Sequence, residues 1–247
     1  MQNISSTAPA ERSARTVAQD RRHVRPVNLT TDQHAAFLGL QHVSHQLSKH
    51  LLSTPTLSKP CAIGITSAID NEGKTTTSIS LASALASEKG KPVVLIEADL
   101  DNPTMADDFG IDSNTGILSY LTGKSPANSI AQQTQMPNLF VVPASKFKTG
   151  NQKQTFLLTK RLPELLAGLR NQFFFTVLDL PPLLLDRNTR AMIDTLDGIL
   201  LVVRADVTPL EKFKSAVNQI EGANLMGVVQ IGPPSRMPKW ASSVISG

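Results

Sequence analysis

From Pro60 onward, apolar and polar positions follow two alternating rhythms. Short aliphatic runs predict strands over Cys61–Thr66, Pro92–Glu97, Asn138–Val142, Phe174–Leu178, Gly198–Val203 and Met226–Ile231. Between them, apolar residues return every three or four positions. That spacing predicts helices over Lys74–Lys89, Thr155–Asn171, Thr189–Thr195 and Pro209–Glu221, with shorter turns at Met105–Phe109 and Gly116–Leu121. The runs are continuous rather than alternating, as expected of strands buried on both faces. Strand and helix taking turns in this way predict an α/β fold, a mostly parallel sheet flanked by helices on both faces.

Before Pro60 the pattern changes. Residues 1–30 are polar, rich in Arg and without period, and read as a disordered basic N-terminal arm. Residues 31–58 read as a helical segment preceding the main domain, with Phe37, Leu40, Leu47 and Leu51 at helical spacing. It carries His34, His42, His45 and His50. His42 and His45 share a helix face, but no carboxylate or cysteine joins them at helical spacing, so they read as solvated histidines. The main domain is predicted over 59–235, and 236–247 reads as a flexible C-terminal tail.

The densest chemistry lies between the first strand and the first long helix. There the chain reads Ser67-Ala68-Ile69-Asp70-Asn71-Glu72-Gly73-Lys74-Thr75-Thr76. A buried strand, a tight loop ending in Gly-Lys-Thr and a helix start form a P-loop, or Walker A motif, apart from Ala68 where the pattern has glycine. In such a loop, backbone N–H groups and the helix N-terminus face an anion, and the lysine adds a point charge. Asp70, Asn71, Glu72, Gly73, Lys74, Thr75 and Thr76 are therefore the candidate nucleotide-binding residues. Asn71 suits a position with positive φ, which Asn tolerates better than most residues. The Thr75 hydroxyl is the expected magnesium ligand.

Magnesium needs hard oxygen ligands, and two apolar strands end in them. Val93-Val94-Leu95-Ile96-Glu97-Ala98-Asp99 carries two acids two residues apart, a spacing that puts both on one face of an extended strand. Phe173 to Asp179 is an apolar run ending in one acid, the form of a Walker B strand. All three acids fall at carboxyl ends of strands, where open α/β sheets collect ligands. Lys74, Glu97 and Asp99 are the candidate catalytic residues, and Thr75, Asp99 and Asp179 the candidate metal ligands.

Composition narrows the class. At 247 residues there is room for one α/β domain and a tail. Aromatics make up 4%, so the apolar content is aliphatic and suits parallel strands. One cysteine, Cys61, permits no disulfide within the chain, which points to a reducing compartment; Cys61 itself reads as a small buried residue. The richest apolar run, Phe173 to Leu185, is broken by Asp179, Pro181 and Pro182 and is no membrane span. The N-terminus has no apolar core of a secretory signal. The formal net charge is +4, with Arg12, Arg15, Arg21, Arg22 and Arg25 in the arm. Such an arm has the charge to touch anionic lipid, but it reads as a solvated tail, and no nucleic-acid partner is expected.

These motifs in this order resemble the bacterial tyrosine kinase family, P-loop proteins related to the partition and septum-site ATPases. The resemblance runs from about Lys59 to Ile231. Ser67-Ala68 followed by Glu72 to Thr76 looks like the family's Walker A loop, with Asp70 and Asn71 where Pro-Gly is usual. Leu95 to Leu100, with Pro103 after it, looks like its second acidic motif, with Glu97 replacing the usual first aspartate and Asp101 where arginine is common. Leu178-Asp179 with Pro181-Pro182 matches its Walker B motif, with Leu180 in place of a small polar residue. Gly116 to Gly123, Pro137 to Leu139, Asp197 to Arg204 and Gly227 to Val229 match further segments. The resemblance implies a cytoplasmic, ATP- and Mg2+-dependent phosphotransferase or ATPase of capsule or exopolysaccharide biosynthesis. It further implies a separate inner-membrane polysaccharide co-polymerase as partner, peripheral placement at that membrane, and room for a homo-oligomer.

Three departures separate the chain from that family pattern. The family's C-terminal tyrosine cluster is absent, and the one tyrosine is Tyr120. The family's Glu-x-x-Arg-x-x-Arg oligomer motif is absent from Ala35 to Val43. Gln230 stands where an asparagine commonly helps at the base site. Two functions from different classes stay open: an ATP-using enzyme, or a nucleotide-sensing module that regulates a co-polymerase without phosphorylating it. A partition-type ATPase ranks third, because such proteins carry lysine where this chain has Ile69. Tyr120, between Leu118 and Leu121 in an apolar turn, is expected to be packed and not autophosphorylated.

Overall fold

The structure is a computed structural model that describes residues 45–46, 48–49, 59–144, 151–205 and 207–232. The predicted arm 1–30, the tail 236–247 and most of the 31–58 segment lie outside the described residues. The elements are β1 (Cys61–Ser67), α1 (Lys74–Lys89), β2 (Val93–Glu97), α2 (Met105–Phe109), α3 (Ile117–Leu121) and β3 (Gln132–Gln133). They continue with β4 (Leu139–Val142), α4 (Asn151–Leu169), β5 (Phe175–Asp179), α5 (Thr189–Ile193), β6 (Gly198–Arg204), α6 (Leu210–Gln219) and β7 (Leu225–Ile231).

Seven strands form one sheet in the order β3-β4-β2-β5-β1-β6-β7. Every pairing is parallel except β3 with β4. The middle strands are buried along their whole length, which explains why apolar residues fill both faces of β2 and most positions of β1 and β5. Successive residues feed opposite faces. Ile63, Ile65, Val93, Leu95, Phe175 and Val177 join Leu81 and Leu85 of α1 in one core. Val94, Ile96, Leu178, Ile199 and Leu201 join α3, α4, α5 and α6 in the other. Helices thus cover both faces, as the alternating pattern predicts. Gly90 closes α1 in the left-handed region (φ 59°), ending the helix where its apolar period ends.

The differences from the predicted elements have local causes. β5 begins and ends one residue late, which brings Asp179 into the sheet opposite Glu97 and Ile65. α4 begins at Asn151 rather than Thr155 and continues through Pro163. Its buried Leu158, Leu162, Leu165, Leu166 and Leu169 anchor it on both sides of that proline. β3 is two glutamines with no apolar signal. The Gln132 amide donates to Asp112 O and Thr115 O and accepts from the Asp112 N–H, a tertiary contact invisible to periodicity. Among the described residues, no helix is long and apolar enough to cross a membrane. Cys61 is buried in β1, and burial first, then the Asp197 charge, pushes its thiol up to about 12.

The candidate phosphate loop and its acids

The loop between β1 and α1 curls around the helix start. Positive φ occurs at Asn71 (61°) and Gly73 (93°) and not at Ala68. Alanine therefore fits where the P-loop pattern has glycine, while Asn71 takes the left-handed turn that its side chain tolerates. At Gly73 the positive φ demands glycine, and a Cβ there would also lie 2.5 Å from Ile231 Cδ1 at the end of β7, so the tip of that side chain would have to shift. α1 starts with no side-chain cap and no acid in its first turn, leaving its N-terminal amides and the positive end of the helix dipole facing the loop.

The loop is held from below by Glu72, which is fully buried. Its carboxylate accepts the Ile69 N–H at 2.7 Å and the Thr208 hydroxyl. Arg204, at the end of β6, donates to Asn71 O at 3.2 Å, and its own N–H is received by Thr208. The segment after β6 thus braces the loop. Asp70, Asn71 and Thr76 are exposed at its rim.

Four predicted residues come together above this frame. Lys74 and Asp99 are nearly buried, with Nζ 3.6 Å from Oδ2. Thr75 Oγ1 donates to Asp179 Oδ2 at 2.7 Å. Ser78, one turn further along α1, donates to Asp179 Oδ1 at 3.1 Å. Ser78 is absent from the sequence-based candidates, although its i+3 spacing from Thr75 puts it on the same helix face. Burial pushes the Asp179 carboxyl up to about 7, against the Thr75 hydrogen bond and the Lys74 charge, with nearby Asp99 adding to the rise. Burial raises Asp99 too, opposed by Lys74 and the Asp101 N–H. One ammonium therefore faces two carboxyls whose charge the site holds at a cost. That is a donor set suited to a hard cation sharing ligands with phosphate oxygens. Among the described residues, no cluster of three or more His, Cys, Asp or Glu forms a self-sufficient metal site.

Glu97 is not brought to Lys74. The two-residue spacing predicts Glu97 and Asp99 side by side on an extended strand, but β2 ends at Glu97. There the Ala98 and Asp99 N–H groups both donate to Asp179 O, so the chain leaves the ladder and strand alternation no longer applies. Glu97 Oε1 accepts the N–H groups of Thr104 (2.6 Å) and Met105 (2.9 Å), and Oε2 accepts that of Ala144 (2.8 Å). Its carboxylate ties the start of α2 and the segment after β4 to the sheet. Burial raises its pKa, partly offset by those three donors.

Tyr120 is packed, at 2% exposed, with the Arg161 guanidinium 4.1 Å from its ring centre. Burial raises its phenol, against the Arg161 charge. Of the histidines, His45 lies within the described residues, its Nδ1 2.8 Å from Glu88 Oε1 on α1; His34, His42 and His50 lie outside them. Gln230 is half-buried on β7, whose next residue is the Ile231 that packs on Gly73.

Comparison with known proteins agrees with this geometry. The family model described as an AAA domain matches residues 63–225. The tyrosine-protein kinase CpsD of Streptococcus agalactiae is 30% identical over 170 residues, 68% of this chain and 72% of that protein. The kinase domain of VpsO superposes with a TM-score of 0.71 at 26% identity, covering 82% of this chain and 98% of that one. The kinase domain of the Escherichia coli tyrosine kinase ETK superposes with a TM-score of 0.73 at 23% identity, over 90% and 86% of the two chains. With a P-loop, two acids at strand ends and a matching sheet, the chain belongs to the bacterial tyrosine kinase family.

Proposed function

We propose that the chain binds ATP with Mg2+ at this loop and transfers or hydrolyses the γ-phosphoryl group in exopolysaccharide or capsule biosynthesis. The observation that carries this is the convergence of an uncapped helix start, the Gly73 turn, Lys74 beside Asp99, and Thr75 tied to Asp179. The α1 amides and Lys74 would hold the phosphates, and Thr75, Asp99 and Asp179 would hold the metal. ATP supplies the phosphoryl group and Mg2+ neutralises charge at it. With no helix of its own to cross a membrane among the described residues, the chain would work beside a separate inner-membrane co-polymerase, on the cytoplasmic side. Nucleotide titration is the test. Lys74→Ala should weaken ATP binding by at least tenfold, and unchanged binding would remove the assignment.

A second reading, a nucleotide sensor that phosphorylates nothing, draws support from Glu97 and Tyr120. The first acid of the motif spends its oxygens on backbone amides, and the one tyrosine is buried. Incubation with γ-labelled ATP and Mg2+ separates the two. Free phosphate or a labelled protein marks an enzyme; nucleotide retained intact marks a sensor. The purified chain with ATP and Mg2+ should show no phosphotyrosine on an anti-phosphotyrosine blot, and a strong signal that Tyr120→Phe abolishes would overturn this.

A further inference from the structure

We propose that the outer face of α4 is a membrane-contact surface for anionic phospholipid. On this helix Thr155, Leu158, Leu162, Leu165, Leu166 and Leu169 are buried. The opposite side carries Lys153, Phe156, Leu157 and Lys160, at i, i+3, i+4 and i+7. Phe156 is 53% exposed and Leu157 38%, two of the four large apolar side chains that stand out most among the described residues. Scattered exposed apolar residues are ordinary. Two side by side, framed by a lysine one turn before and one turn after, form the pattern of an interfacial helix face, in which the rings enter the acyl boundary and the ammoniums stay with the headgroups. The Lys160 ammonium lies 5.5 Å from the Phe156 ring centre, so charge and apolar area form one patch.

Charge complementarity selects the occupant. Between Asp112 and Glu164 the chain has no acidic residue, while Lys124, Lys146, Lys148, Lys153, Lys160 and Arg161 fall there. Glu164, the nearest acid along α4, is engaged by Arg161, with Nε 3.4 Å from Oε2. Along α4 the face thus carries Lys153 and Lys160 against one carboxylate, Glu164, whose charge Arg161 offsets. Each lysine close to an anionic bilayer raises partitioning about fivefold, so the pair contributes about 25-fold. α4 follows β4 from the carboxyl edge of the sheet, the edge that holds the phosphate loop, so contact here would keep that loop near the bilayer. The surface complements a membrane partner, because two weak attachments on one body multiply.

The test uses the full chain and vesicles of phosphatidylglycerol mixed with phosphatidylcholine, against phosphatidylcholine alone. Sedimentation should show Lys153→Gln/Lys160→Gln weakened about 25-fold on the anionic vesicles. Phe156→Gln/Leu157→Gln should weaken binding as well, with circular dichroism unchanged because all four residues are exposed. The basic N-terminal arm also attracts such vesicles, so a second readout separates them. Trp240 is the only tryptophan. In Trp240→Phe/Phe156→Trp the new indole should shift to the blue with anionic vesicles and not with neutral ones. Unchanged emission on bound vesicles, or full binding by the stripe variants, would overturn the proposal in favour of the arm alone. A blue shift with an acidic, Leu-rich helical peptide and none with vesicles would overturn it in favour of a protein partner.

Discussion

Replacing Asp179 by asparagine isolates the cost of holding a carboxylate under the phosphate loop. Asp179 is 1% exposed, and its carboxyl is pushed from an ordinary 3.8 up to about 7. Between those two values the folded protein keeps a proton that the unfolded chain has released. Stability therefore falls as pH rises through that window and levels off above about 7. The full gap corresponds to about 4 kcal/mol at about 1.4 kcal/mol per tenfold change in proton affinity. Asparagine removes the charge and keeps one carbonyl for Thr75 or Ser78, and the weakened second hydrogen bond returns about 1 kcal/mol. Without nucleotide or metal, Asp179→Asn should thus be more stable than wild type at about pH 8 by about 2–3 kcal/mol. For a domain of this size, at roughly 2–4 °C per kcal/mol, Tm should rise by about 5–10 °C. At about pH 4 the two proteins should melt within a few degrees of each other. Thermal melts in chelator across this range provide the assay. A lower Tm for the variant at pH 8, or a difference that does not change with pH, would refute the reasoning. Adding Mg2+ and ATP should then stabilise wild type and leave the variant unmoved.

Three further outcomes follow from the frame around the site. Glu97→Gln turns an amide donor toward one of three backbone N–H groups and should cost about 1–3 kcal/mol in denaturant unfolding, with ATP affinity within about twofold of wild type; lost turnover at unchanged stability would instead return Glu97 to a catalytic role. Gly73→Ala meets positive φ and also displaces the tip of Ile231, and should abolish nucleotide binding in a titration; adding Ile231→Ala should restore neither binding nor melting temperature, because the φ strain remains. Thr208→Val removes the hydroxyl that donates to the buried Glu72 carboxylate and accepts the Arg204 N–H, so it should cost about 1–3 kcal/mol in denaturant unfolding, and calorimetry should show ATP affinity reduced several-fold.

Much of the fold is legible in the sequence because parallel strands buried on both faces leave a simple trace. β2 and β6 are aliphatic along almost their whole length, and β1 is a short run of small and aliphatic residues, all of them buried. α1 is bounded by Gly73 and Gly90, both with positive φ, so its predicted limits coincide with the observed ones. The phosphate loop is legible for a similar reason: its chemistry is contiguous, and strand, glycine turn and helix start are all local. Asp99 and Asp179 are legible as acids at strand ends.

What only the tertiary structure decides is where side chains spend their hydrogen bonds. Glu97 and Asp99 are indistinguishable by spacing, yet one holds three backbone amides and the other faces Lys74. The difference arises because the chain leaves the ladder at Asp179 O, a contact eighty residues away in sequence. Ala68 looks like a defect until the backbone shows that positive φ falls at Asn71 and Gly73 instead. Glu72 and Thr208 are 136 positions apart and meet only because β1 and β6 are neighbours. Periodicity reports which face of an element is apolar, so it determines the layers. It carries no information about contacts between distant segments, and those contacts set which carboxylates stand open to the loop and which are consumed in holding it.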